Sequence, residues 1–323
     1  MLSALGNIIR TFPILYGLHR ATKRQRNFVH QKKSIIPEWC TNDHSRRMID
    51  YAMRSTLIIG EGFAVLRNDP LSEKERDRFT QLGFAAPHLD DLSDQKEVNN
   101  NQLKALVTIP SQFFTLHQVE LLCAKLLKSC YDEMPFPNET RKVISQLFDA
   151  QIKSRDQSNP TIEEDKLIRV SRLKGGFSVQ LFHSLMAHQK SIEENKVAMQ
   201  LGYVIQLLDD LFDIYKDNTD GIHTLANSKD LDHFFTIYQQ AWQSLKQAVH
   251  RTSYPQSNKK KALTWWYLFI STAFMYLGQL KRSGIKNIQS QFNGTQQPIP
   301  FNWEWPDLLD GLERGLKEKF SKS

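Results

Sequence analysis

One segment restricts the fold more than any other. From Gly202 to Asp217 the chain reads Gly-Tyr-Val-Ile-Gln-Leu-Leu-Asp-Asp-Leu-Phe-Asp-Ile-Tyr-Lys-Asp. Helical spacing lays Gly202, Gln206, Asp209, Asp210, Asp213 and Asp217 along one stripe. Val204, Leu207, Leu208, Leu211, Phe212, Ile214 and Tyr215 make most of the remaining circumference apolar. A helix of that kind belongs in an interior, so its carboxylates are expected to face a cavity rather than bulk water. Acids this close repel one another, and burying them uncompensated is costly. A hard divalent cation such as Mg²⁺ relieves the repulsion by taking carboxylate oxygens as ligands.

The pattern Asp-Asp-x-x-Asp occurs twice: at Asp209, Asp210 and Asp213, and earlier at Asp90, Asp91 and Asp94. In the earlier copy Gly83, Ala86 and Pro87 precede the acids, leaving room on their face, and Asp90 and Asp94 lie one turn apart. The plainer alternative is that Asp90–Asp94 simply end a helix in solvent. A third element, Lys174-Gly175-Gly176-Phe177, sits inside a helical pattern. Two adjacent glycines there cost about 2 kcal/mol relative to alanine. They are expected to break the helix and bring backbone close to a ligand beside Lys174, with close helix–helix packing as the alternative. A helix over Ser45–Arg67 would place Arg47, Arg54 and Glu61 at seven-residue steps on one face, together with Tyr51, Ile58 and Val65. That face either lines a site or carries surface ion pairs.

The rest of the chain reads as long helices. Asp43 or Ser45 is the expected cap of the helix ending before Asn68-Asp69-Pro70. Ser72 starts a helix to about Asp94, with Glu73 and Glu75 in its first turn, and Thr161 with Glu164 has the capping-box spacing for one through Met186. Further helices are expected over Leu116–Tyr131, Asn138–Lys153, Ser191–Lys216, Leu231–Arg251, Lys259–Lys281 and Asp307–Lys319. Asn99-Asn100-Asn101, Asp217–Asn227 and Gly294–Pro300 read as loops. No alternating strand pattern bounded by hairpin turns appears. With 323 residues, 40% apolar, the expectation is an all-α fold: a basic amphipathic N-terminal arm over 1–37, then one large helical bundle over 38–323 with a central cavity. Cys40, Cys123 and Cys130 have no metal-ligand spacing, and the latter two should lie on one helix face in the core.

The net charge is +7. Much of it falls in the first 37 residues, where Arg10, Arg20, Lys23, Arg24, Arg26, Lys32 and Lys33 occur without an acid. An amphipathic helix suits this better than a signal peptide, with an organellar presequence as the alternative. The expectation is a cytoplasmic protein, peripheral to a membrane through the arm. Ala262–Gly278, the most apolar run, has 17 residues, the lower limit for a membrane span, and reads better as a buried core helix.

Taken together, Asp90–Asp94, Lys174-Gly175-Gly176 through Phe182, and Gln206–Asp213 resemble the motifs of the class I isoprenoid synthases: trans-prenyltransferases, squalene and phytoene synthases, and class I terpene cyclases. That resemblance implies an α-bundle in which two facing helices each supply an aspartate-rich motif. It also implies three Mg²⁺ ions holding the diphosphate of an allylic prenyl substrate, whose ionisation leaves a carbocation in an aromatic-lined cavity. Asp90, Asp91, Asp94, Asp209, Asp210, Asp213 and Asp217 would bind metal. Lys174, Lys216 and Arg54 would meet diphosphate, and Gly175, Gly176 and Gln206 would line the substrate site. Phe84, Phe177, Tyr203 and Trp265 would offer ring faces to the cation. The segment Gly-Gly-Lys-x-x-Arg of chain-elongating prenyltransferases is missing, which favours a cyclase over a prenyl-condensing enzyme. A homodimer is compatible with this reading and nucleic acid is not part of it. The rival outside enzymes, a basic helical nucleic-acid-binding or scaffold protein, accounts for the charge but not for two carboxylate clusters on apolar helices.

Overall fold

The computed structural model describes residues 2–95, 99–292 and 299, with side chains from residue 14 onward. It is all-α, and no strand occurs among the described residues. The helices are α1 (Leu2–Lys32), α2 (Asn42–Arg54), α3 (Glu61–Arg67), α4 (Glu73–Asp94), α5 (Asn100–Thr108), α6 (Gln118–Asp132), α7 (Pro137–Ser154) and α8 (Glu164–Ser184). They continue as α9 (Ile192–Phe212), α10 (Ile214–Thr219), α11 (Leu225–Ser228), α12 (Leu231–Arg251), α13 (Gln256–Arg282) and α14 (Ile288–Gln291).

The helices that bear the acids start where their caps dictate. Ser72 and Glu75 form a reciprocal capping box at the head of α4, and Ser191 and Glu194 do the same for α9. The expected box of Thr161 with Glu164 does not form. The Thr161 hydroxyl donates to Asn159 Oδ1 at 2.9 Å within the preceding turn, and Glu163 is the N-cap without a side-chain bond. Thr41, rather than Asp43 or Ser45, caps α2. Helix α5 was not expected: Asn99, read as loop, caps it by accepting from the Asn101 N–H. The expected helix over Asp307–Lys319 lies outside the described residues.

Neighbouring helices follow one another around a closed circuit. Helix α2 packs on α4, α7 on α8, α8 on α9, α9 on α12, α12 on α13, and α13 on α3. Gln151 of α7 closes the circuit by donating to Asp90 of α4 at 2.9 Å. Most buried apolar side chains belong to one continuous core.

Helix α13, which carries the 262–278 run, is buried in that core, with Ala262, Trp266 and Leu280 fully enclosed. No described helix is long and apolar enough to cross a membrane. All three cysteines are free and buried, and burial pushes the Cys123 and Cys130 thiols up to about 12.

The region expected as an arm packs on the bundle from Ile14 onward. Ala21, Gln25 and Val29, four residues apart, are buried. The Gln25 amide donates to Thr56 Oγ1 and Thr80 Oγ1 at 3.1 and 3.2 Å. Arg24 pairs with Glu61 at 3.0 Å and Lys32 with Asp77 at 2.6 Å.

Candidate functional site: an acidic cluster on two helices

Lys174 of α8 joins the two acidic motifs. Its Nζ stands 3.4 Å from Asp90 Oδ1. Asp90, Asp94, Asp209 and Asp210 all hold its charged form, outweighing burial, which opposes it. One ammonium thus sees carboxylates of both α4 and α9. Asp90 also accepts from Gln151, and Asp91 is held from the other side by a two-pronged bond from Arg47.

On α9, Gln206 Nε2 donates to Asp210 Oδ1 at 2.8 Å, and Ser171 Oγ of α8 donates to Oδ2 at 3.4 Å. Burial pushes Asp210 up to about 6 despite those bonds. Burial, then Asp213 and Asp210, push Asp209 up to about 7. Burial, then Asp210 and Asp213, push Asp217 up to about 8. Asp209 is nonetheless accessible to water. Burial and then Asp90 raise the Asp94 carboxyl as well. Burial is the first cause of each raised value, and repulsion among the acids adds to it. Carboxylate oxygens are the donors a hard divalent cation takes, although among the described residues no three of these acids bring ligand atoms within 4.8 Å of one another.

The chain geometry at Asp213 was not read from the sequence. Helix α9 ends at Phe212, and Asp213 caps it (φ −90°, ψ 9°) before α10 starts. Lys216, on α10, pairs with Asp220 at 3.6 Å. Burial lowers its affinity for a proton, and Asp213 and Asp217 more than restore it.

The expected helix break at Gly175-Gly176 is a correction. Helix α8 runs unbroken from Glu164 to Ser184, and both glycines face α9. A Cβ on Gly175 would stand 2.2 Å from the Gly202 carbonyl oxygen, and one on Gly202 would stand 2.1 Å from the Gly175 oxygen. Backbone therefore approaches backbone, not a ligand. The contact brings α8 and α9 close enough for Ser171 and Lys174 to reach the α9 acids.

The expected face shared by Arg47, Arg54 and Glu61 is corrected at Glu61: the two arginines stand seven residues apart on α2, but Glu61 begins a different helix. Between α2 and α3 the chain makes a π-helical turn over Ser55–Gly60. Such a turn inserts an extra residue and rotates the next helix about its axis. Arg47 reaches the acidic motif, Arg54 is exposed, and Glu61 is buried in an ion pair with Arg76. The tyrosine on this face, Tyr51, senses Asp209 and Asp90, which with burial raise its phenol.

The expected aromatic lining is only partly assembled. Phe177 is half-buried on α8. Tyr203 is buried on α9, with the Arg172 guanidinium 4.9 Å from its ring centre. Phe84 is fully buried in α4. Trp265 donates to the Leu57 carbonyl at 2.8 Å. It belongs to a separate cleft of about 1020 Å³ between α1, α3 and α13, lined also by Tyr16, Arg20, Lys23, Arg24 and Lys261. That cleft lies on the basic helix rather than at the acids.

No family model and no curated protein matches this chain.

Proposed function

We propose that the chain is a Mg²⁺-dependent class I terpene synthase that ionises an allylic prenyl diphosphate and releases diphosphate, with cyclisation of the cation. The observation that supports this most is the shared Lys174: carboxylates from α4 and α9 converge on one cation. The reading places Asp90, Asp94, Asp209, Asp213 and Asp217 around the metal, with Asp210 and Asp91 beside them. Bound Mg²⁺ would supply Lewis-acid withdrawal of charge from the leaving diphosphate.

The protein's own groups do the remainder. Lys174 exchanges its carboxylate partners for diphosphate oxygens, and its charge stabilises the leaving group as negative charge builds there. Gln206 and Ser171 orient Asp210, and Gln151 orients Asp90. Arg47 neutralises Asp91 at the rim. The exposed basic side chains of α1 serve a lipid surface from which a lipophilic substrate arrives.

The test is incubation of the full chain with geranyl, farnesyl and geranylgeranyl diphosphate, each with and without isopentenyl diphosphate. Released diphosphate and hydrocarbon products are measured together. Diphosphate release from one allylic substrate alone supports the cyclase. Release only when isopentenyl diphosphate is added turns the assignment to a condensing enzyme. No Mg²⁺-dependent release from any of them overturns it.

A further inference from the structure

At the opposite end of the α8/α9 pair, three ligating side chains meet in the turn between the helices. His183 lies in the last turn of α8, His188 in the connection, and Glu194 in the first turn of α9. Glu194 is 15 positions before Asp209, about 22 Å along a helix, so this cluster is distinct from the acidic site. We propose that His183, His188 and Glu194 form a site for one divalent ion of zinc chemistry.

The geometry comes first. His188 Nε2 is 2.8 Å from Glu194 Oε1, and His183 Nε2 is 3.8 Å from the same oxygen. One ligating atom from each residue lies within 4.8 Å of the others. Tetrahedral coordination at zinc bond lengths sets donor atoms about 3.3 Å apart, between the two observed values. Small rotations of the two rings therefore suffice.

The second observation is His183 itself. It is 1% exposed and stacked on Phe63 with ring centres 4.0 Å apart. Neither of its nitrogens has a hydrogen-bond partner among the described residues. A buried polar group left unmet is disfavoured in a native protein, and each such group calls for an explanation. A metal ion bound at Nε2 is one. Imidazole nitrogen selects zinc-like ions over Mg²⁺, so the two sites would sort two different cations.

The surrounding charges define what binding must change. Arg67 Nη1 lies 2.6 Å from His188 Nδ1, and Tyr254 donates to Glu194 Oε1 at 2.9 Å. Lys190 donates to the Ser184 and Met186 carbonyls. Glu75 accepts from the Ala187 N–H. With Arg67 donating to Nδ1, neutral His188 carries its proton on Nε2 and gives it to Glu194. An incoming ion takes the Nε2 lone pair, and the proton moves to Nδ1. Arg67 then loses its acceptor and turns to Asp69, whose carbonyl and carboxylate oxygens are already 3.4 and 4.0 Å away. The site thus exchanges an arginine–histidine bond for a metal bond, pinning the α8/α9 turn.

The experiment is zinc titration of the full chain in excess Mg²⁺, read by competition with a chromophoric chelator and by thermal melting. One Zn²⁺ per chain is expected to bind and raise the melting temperature. Co²⁺ in its place should give the visible absorption of a low-coordinate nitrogen-containing site. His183→Gln and His188→Gln should each abolish both signals, with helical circular dichroism retained. His188 is the more exposed of the two, so its variant keeps the test decisive where His183→Gln fails to fold. Arg67→Met should tighten zinc binding about tenfold, the scale on which partners of ligating histidines act. No zinc uptake in excess Mg²⁺, uptake that survives His188→Gln, or weaker binding by Arg67→Met overturns the site. None of these outcomes bears on the acidic cluster.

Discussion

Arg47 holds Asp91 through two parallel hydrogen bonds, Nη1 to Oδ2 at 2.8 Å and Nη2 to Oδ1 at 2.9 Å. Asp90, its sequence neighbour, faces Lys174 and Gln151 instead. Adjacent acids of one motif are therefore engaged by different helices, and their substitution should have unequal effects. Asp90→Asn is expected to lower diphosphate release by on the order of 10²-fold or more, as for loss of a group that acts in the transition state. Asp91→Asn should lower it by less than about tenfold, the scale of one half-exposed ion pair. Steady-state diphosphate release with helical circular dichroism as control checks both, and equal losses would refute the division of labour.

Lys174 is acted on by Asp90, Asp94, Asp209 and Asp210 together. Lys174→Gln should reduce kcat by about 10²-fold. KM should change less if the contact strengthens mainly as the carbon–oxygen bond breaks. Lys174→Arg should recover part of the rate, limited by the different shape of the guanidinium. Rapid-quench measurement of a single turnover is the check, and a neutral Lys174→Gln removes the residue from the chemistry.

The crowded acids make a pH prediction for the metal-free protein. Asp209 is pushed from 3.8 up to about 7, by burial first and then by Asp213 and Asp210. A carboxyl whose proton is held more tightly in the fold than in the unfolded chain lowers stability as pH rises between those two values. Asp209→Asn should therefore melt at the same temperature as the parent near pH 4 and higher above pH 7. Calorimetry across that range, with chelator present, gives the answer. A variant that melts lower at pH 8 contradicts the repulsion.

Gly202 admits no side chain without moving a neighbouring helix, because its Cβ would strike the Gly175 carbonyl. Gly202→Ala should destabilise by about 3 kcal/mol, at the upper end for overpacking. It should also depress activity, since α8 and α9 carry Lys174 and Asp210. Chemical denaturation checks the first effect. Gly221, at φ 69° with open space around it, offers a control for glycine loss without helix separation.

Helix α1 cannot be deleted without uncovering the core that Ala21, Gln25 and Val29 touch. Its membrane role is better tested on exposed charges. Replacing Arg20, Lys23 and Arg26 by glutamine should weaken binding to anionic vesicles by roughly 3 kcal/mol in total. Melting should be unchanged. Vesicle sedimentation measures it, and undiminished binding removes the idea.

The order and extent of the long helices could be read from the sequence because capping residues and apolar periodicity agree there, as at Ser72–Glu75 and along α12. The apolar setting of Asp209 and Asp210 marked them for the interior, whereas their approach to Asp90 was implied by the family resemblance and not by any local pattern. Other features depended on pairing that no local pattern contains. Gly175 and Gly176 read as a break because their cost within an isolated helix is plain, whereas Gly202 lies on a different helix. Glu61 could not be separated from Arg47 and Arg54 without knowing of the π turn between them. The His183, His188 and Glu194 cluster spans a helix end, a turn and a helix start, so no single helical face unites it.

The π turn at Ser55–Gly60 also ties two tryptophans to the backbone. The indole nitrogens of Trp265 and Trp266 donate to the carbonyls of Leu57 and Ile58 at 2.8 and 2.9 Å. Consecutive residues of one helix thus read consecutive carbonyls of another. An insertion or deletion of one residue in the turn would rotate both carbonyls away together, leaving two buried indoles with no acceptor. Length variation, ordinarily tolerated where a helix is irregular, would here cost both indole bonds at once: the irregular turn acts as a fixed register mark between two helices.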